Sequence, residues 1–166
     1  MGHITEVGEK MSRTPEITHK IMSAIKSQNT RPELALRREL WRRGLRYKKN
    51  VRALPGTPDV VFTRVQLAVF CDGDFWHGYN WLLRGYGSLE EELHRYSKPW
   101  AEKIRKNVQR DILVNQCLTE MGWSVLRIRE SEIKKDVRRC ANQVEYVYRN
   151  LMRNMTGEQR EFYDES

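Results

Sequence analysis

Pro58-Asp59-Val60-Val61-Phe62-Thr63-Arg64-Val65-Gln66-Leu67-Ala68-Val69-Phe70-Cys71-Asp72-Gly73-Asp74 is the stretch on which the fold turns. Its apolar runs, 59–62 and 67–71, have the length of buried strands and flank a turn near Thr63 and Arg64. Together they read as a central hairpin. Asp59 heads the first run and Asp72-Gly73-Asp74 follows the second, so neighbouring strands bring Asp59 and Asp72 to one end of a sheet. An isolated Asp-Gly more often closes a turn. Two hard oxygen ligands at paired strand ends favour the other reading, a magnesium site, because magnesium takes oxygen ligands and keeps waters for phosphate chemistry.

Working outward toward the C-terminus, 78–99 has no period and reads as a loop or insertion with one short helix near 89–94. A helix over 100–121 is indicated by Ile104, Val108, Ile112, Leu113 and Leu118, with Gly122 as its stop. A strand follows at 123–128, then an amphipathic helix at 134–152 through Val137, Val144, Tyr146, Val147 and Leu151. Toward the N-terminus, Thr30 and Glu33 form a helix start, and a helix runs from there to Arg43, with Gly44 beyond its end. Its apolar positions are Leu34, Leu36, Leu40 and Trp41, and Arg37, Arg38, Arg42 and Arg43 are read as its basic face. A short helix at 18–27 precedes it. The order of main elements, α-β-β-α-β-α, predicts an α/β fold with a mixed central sheet flanked by helices in three layers.

The 166 residues suit one domain, placed at 16–153 between a flexible segment 1–15 and an acidic flexible tail 154–166. Lys and Arg number 30 against 22 Asp and Glu, a formal net charge of +8 that suits a phosphate-rich partner. Cys71, Cys117 and Cys140 lie far apart and suggest neither a disulfide framework nor a cysteine-rich metal site. With no long apolar run and a polar N-terminus, neither a membrane span nor a signal peptide is expected, and the compartment is read as the cytoplasm.

His77 stands beside the acids in Asp74-Phe75-Trp76-His77-Gly78, where a neutral imidazole can take a proton from water near pH 7. Asp111, in the helix at 100–121, is the carboxylate placed to orient it. Lys103, Lys106 and Arg110 on the same helix read either as a solvated face or as a path for phosphates. Phe75, Trp76 and Trp100 have two open readings, core packing or wedging between bases. The function stays open at this point between a DNA endonuclease, a DNA-binding module without catalysis, and an RNA-directed nuclease.

From about Arg13 to about Leu151 the chain resembles the very short patch repair (Vsr) endonuclease family. The resemblance rests on Asn29-Thr30-Arg31-Pro32-Glu33-Leu34, Leu54-Pro55-Gly56-Thr57-Pro58-Asp59, Phe75-Trp76-His77, Trp100-Ala101-Glu102-Lys103-Ile104, Lys106-Asn107-Val108-Gln109-Arg110-Asp111 and Gly122-Trp123-Ser124-Val125-Leu126. It implies a restriction-endonuclease-like fold of the PD-(D/E)xK superfamily and magnesium-dependent cleavage of one strand of double-stranded DNA beside the thymine of a T:G mismatch. It assigns metal binding to Asp59 with the backbone carbonyl of Cys71, the base to His77, its supporting acid to Asp111, the helix acid to Glu33, and intercalation to Phe75, Trp76 and Trp100. An associated DNA methyltransferase and repair or defence proteins are the partners it implies, in a bacterial cytoplasm at the nucleoid.

Two departures from the family pattern stand out. The positions of the family's structural zinc ligands correspond here to Asp74, Tyr79, Trp81 and Ser131, a set without thiolate or imidazole, so no structural zinc is expected. Asp72 takes the place of a second histidine. A second metal-binding acid there fits a restriction or defence nuclease without mismatch specificity as well as a repair nickase.

Overall fold

The computed structural model describes residues 28–155. The helix expected at 18–27, the segment 1–15 and all but the first two residues of the tail expected at 154–166 lie outside them. Helix α1 spans Arg31–Arg42, strand β1 Lys48–Lys49, β2 Val60–Phe62, a 3-10 turn Thr63–Val65, and β3 Leu67–Asp72. Helices α2 (Asn80–Arg84), α3 (Leu89–Leu93) and α4 (Lys98–Glu120) follow, then β4 (Ser124–Arg129), α5 (Glu130–Lys135) and α6 (Val137–Asn154). The sheet order is β1-β2-β3-β4. The pairs β1/β2 and β2/β3 are antiparallel, and β3/β4 is parallel.

The hairpin forms because both runs are buried on both faces, and alternation then sends neighbouring side chains to opposite layers. Leu67 and Val69 of β3 join Val60, Phe62 and Ile128 against Leu36 and Leu40 of α1 and Val144 of α6. Ala68 and Phe70 face the other way, onto Val114 and Leu118 of α4. Each such fully buried aliphatic or aromatic side chain contributes roughly 1.5–3 kcal/mol. The result is the expected three-layer α/β arrangement, a fold of the restriction-endonuclease-like class.

Helix α1 starts as its sequence predicts, with the Glu33 N–H donating to Thr30 Oγ1 at 3.4 Å and Pro32 in the first turn. Several local expectations are corrected. Strand β1 was not foreseen, since Lys48 and Lys49 are exposed at a sheet edge and carry no strand pattern. The last helix is two helices, because Asp136 breaks the run and caps α6 by accepting from the Arg139 N–H at 3.0 Å. Trp41 is 53% exposed, its ring covered by the Arg46 guanidinium at 3.7 Å. Ile112 and Leu113 lie on the solvent side of α4 instead of in the core. Arg37, read as surface, is only 4% exposed. Arg43 is engaged by Glu39 and Glu145.

Candidate active site

Antiparallel β2 and parallel β4 place the start of β2, the end of β3 and the end of β4 at one edge of the sheet, and α1 begins beside them. Asp59 is locked there from both sides. Its N–H donates to Val69 O at 3.0 Å, and its Oδ2 accepts from the Cys71 N–H at 2.7 Å. Burial pushes the Asp59 carboxyl up to about 7; the Cys71 N–H and Arg37 oppose this, and the charges of Glu33 and Asp72 add to it.

Behind Asp59 lies an interior polar network that the sequence did not announce. The Arg37 Nη2 donates to Asp59 O and to Asn50 Oδ1, each at 2.9 Å, and Nη1 donates to Asn29 Oδ1 at 2.9 Å. Buried Glu33 pairs with Arg37 at 3.6 Å and accepts from the Asn29 N–H at 2.7 Å. Asn29 and Asn50 both adopt positive φ, which asparagine tolerates better than most residues. Glu33 therefore reaches Asp59 by charge and through Arg37.

Two residues beyond Phe70 on β3, and so on its α4 side, Asp72 is buried, and burial raises its carboxyl above its ordinary value despite His77 and Arg127. His77 Nδ1 lies 2.5 Å from Asp111 Oδ2 and 3.7 Å from Asp72 Oδ1. Ligand atoms of Asp72, His77 and Asp111 all lie within 4.8 Å of one another, so this group can hold a metal ion. Burial lowers the His77 imidazole, but the Asp111 hydrogen bond and the charges of Asp72 and Asp111 outweigh it and leave it above its ordinary value. With Nδ1–H donating to Asp111, the neutral ring presents the Nε2 lone pair. A cavity of about 290 Å³ meets this histidine, lined also by Thr57, Arg110, Asp111 and Arg127.

The loop carrying His77 is seated by sequence-specific devices. Gly78 has φ +73°, and a Cβ there would fall 2.8 Å from Val108 Cγ2 of α4, so glycine permits the approach that brings His77 to Asp111. The Asn107 Nδ2 donates to Trp76 O at 3.2 Å. Asp74 accepts from Ser131 Oγ at 2.7 Å and from the Ser131 N–H at 2.9 Å, tying the loop to α5. Two of the four positions discussed for zinc are thus joined directly, and Tyr79, a third, donates its hydroxyl to Asp72 Oδ2 at 3.4 Å. Asp74→Ala should lower stability by about 1–2 kcal/mol, because two partly buried donors of Ser131 lose their acceptor. Urea denaturation measures this, and an unchanged midpoint refutes the tie.

Phe75, Trp76, Trp100 and Tyr96 form one cluster, with Phe75 ring centroids 4.7 Å from Trp76 and 5.4 Å from both Tyr96 and Trp100. It packs on Leu93, Ala101 and Ile104 while remaining partly exposed. Lys103 Nζ stands 4.5 Å over the Trp76 ring, and exposed Lys103, Lys106 and Arg110 recur at helical spacing along α4 toward the cavity. The rings are thus packed against α3 and α4 on one side while part of each stays exposed.

Arg127 was missed by the sequence reading. Its Nη1 lies 3.0 and 3.1 Å from the two Asp72 oxygens and 3.5 Å from Asp111 Oδ1. The signal was legible: in a strand covered on both faces, 125 and 127 point to the α4 layer, and an arginine there interrupts an apolar alternation.

A mixed sheet whose edge gathers two aspartates, a histidine–aspartate pair and flanking cations defines the class: a DNA endonuclease of restriction-endonuclease-like fold. The family model described as DNA mismatch endonuclease Vsr matches residues 12–83. The type II nicking enzyme V.NmeDIP of Neisseria meningitidis serogroup C is 39% identical over 82% of this chain and 89% of its own. Type II nicking enzyme V.HpaIIP of Haemophilus parainfluenzae is 37% identical over 84% and 97%, and DNA mismatch endonuclease Vsr of Escherichia coli K12 is 32% identical over 79% and 77%. The chain belongs to the DNA mismatch endonuclease Vsr family.

Proposed function

We propose that this protein is a magnesium-dependent nickase that hydrolyses one strand of double-stranded DNA at or near T:G mismatches. The observation that carries the chemistry is the His77–Asp111 pair at 2.5 Å beside the strand-end acids. Asp59, Asp72 and the Cys71 carbonyl are the oxygen donors for the metal. Their chemistry fits magnesium: hard oxygens at one sheet end, with a buried Asp59 carboxyl whose charge a cation would compensate. When bound, the ion supplies charge neutralisation at the phosphate.

His77 Nε2 is the base that takes a proton from the attacking water, and Asp111 holds its ring and favours the imidazolium that results. Glu33 supports Asp59 through Arg37. Lys103, Lys106 and Arg110 hold backbone phosphates, while Phe75, Trp76 and Trp100 offer ring faces and edges to an opened base step. A role beside a DNA methyltransferase in the cytoplasm agrees with this chemistry, and among the described residues no helix is long and apolar enough to cross a membrane.

A specific observation favours a second reading, restriction or defence nicking without mismatch preference: Asp72 stands where the family pattern has a histidine, and it is paired with a cation. Nicking of supercoiled plasmid and of matched and T:G duplexes, with magnesium or with EDTA, tests both. The expected result is magnesium-dependent nicking of the T:G duplex, at least about tenfold over the matched one, given that a mismatched base costs least to unstack. Equal cutting selects the second reading, and no cutting of any substrate refutes both.

A further inference from the structure

We propose that Arg127 is a catalytic residue of this site, donating from its Nη2 edge to a non-bridging oxygen of the scissile phosphate. The proposal rests on the endonuclease reading above. Arg127 pairs in register with Phe70 of β3, so β4 delivers it to the α4 side of the sheet end. There its guanidinium is fixed on three sides. Nη1 is taken by Asp72, Nε donates to Asn115 Oδ1 at 2.8 Å, and the plane lies over the Phe70 ring at 4.2 Å.

The remaining nitrogen, Nη2, makes no hydrogen bond among the described residues, and it is not among the buried atoms sealed off without a partner. Arg127 also lines the cavity that His77, Arg110 and Asp111 share. A counter-ion for Asp72 alone needs neither the Asn115 bond nor a free edge beside the base. A guanidinium anchored in this way presents donors whose fork matches phosphate oxygens and which need no reorganisation as charge develops.

In the step it serves, the water oxygen bonds to phosphorus, its proton passes to His77 Nε2, and the phosphorus–oxygen bond to the leaving sugar breaks. The leaving oxygen takes its proton from solvent, and nothing is oxidised or reduced. Arg127 neither gains nor loses a proton; it meets the charge that grows on the non-bridging oxygen.

The test is single-turnover nicking, at saturating protein, of the duplex that the wild type cuts, comparing wild type, Arg127→Ala and Arg127→Lys with magnesium. The expected result is a roughly 10²–10³-fold slower Arg127→Ala that recovers about tenfold or more on adding millimolar guanidinium but not equal sodium chloride. Because Arg127→Ala leaves Asp72 unpaired and can impair folding, Arg127→Lys supplies the second arm. It keeps a cation for Asp72, and it should melt within a few degrees of wild type yet cut about 10-fold slower or worse, having lost the fork. A rate within threefold of wild type in Arg127→Lys, or an Arg127→Ala defect that guanidinium leaves untouched, overturns the proposal. Wild-type protein that cuts nothing overturns the endonuclease reading and this proposal together.

Discussion

Asp59→Asn is expected to abolish nicking while making the DNA-free, metal-free protein harder to melt. The carboxyl is held at about 7 against an ordinary 3.8, chiefly by burial. A carboxyl raised in the folded state contributes stability that is present below its unfolded value and is lost as pH rises through the folded one. At pH 8 the folded chain carries this cost in full, at most roughly 4 kcal/mol and more realistically about 1–3 kcal/mol, since the group retains some solvent contact. Asparagine keeps the acceptor for the Cys71 N–H and removes the charge. The variant should therefore melt about 3–10 °C higher at pH 8, with the advantage shrinking as pH falls toward 5. Its nicking rate should drop roughly 10³-fold or more, since the charge proposed to hold the metal is gone. A lower melting midpoint than wild type at pH 8 would show that Asp59 is not an uncompensated buried charge.

His77 carries the second large effect. His77→Ala should reduce the rate about 10²–10⁴-fold with little change in DNA affinity, the range for loss of a general base. Asp111→Asn separates base from orienter. A histidine raised above its usual value is neutral only at higher pH, so the wild-type rate should climb with pH past 6.5. Removing the Asp111 charge and its hydrogen bond lowers the imidazole and should move that rising limb to lower pH, while the plateau falls because the ring is no longer held. Asp72 and Arg127 also face His77, with opposite signs, and remain in place in this variant. A limb that stays put in Asp111→Asn would exclude His77 as the group it reports.

Much of this site was legible because its signals are local. Asp59, Asp72 and His77 come from one stretch of hairpin and loop, and two apolar runs of strand length left few ways to pair. Thr30 with Glu33 and the punctuation at Gly122 set helix ends within a residue or two. What escaped depends on contacts distant in the chain. Arg37 and Arg38 are identical letters on one helix, and only the packing of α1 against Asn50 and Asp59 decides which is buried. Ile112 and Leu113 fit the apolar spacing of α4, yet the helix packs through Ala101, Ile104, Val108, Val114 and Leu118 and leaves them to solvent. Lys48 and Lys49 pair through their backbones alone, which no side-chain pattern reports. Asp136 was read through as helix because one polar residue between two amphipathic runs does not reveal the cap that breaks them.

The parallel pairing of β3 with β4 has a bearing on the order in which the site can assemble as the chain is made. Asp59 and Asp72 can meet as soon as the hairpin has left the ribosome, since its two strands are neighbours in the chain. Asp111 comes with α4, and Arg127 arrives only after the whole crossover through α4 has been synthesised and β4 has docked; closing so long a loop is slow compared with forming a hairpin. A chain that ends before β4 holds the acids and His77 but lacks Arg127.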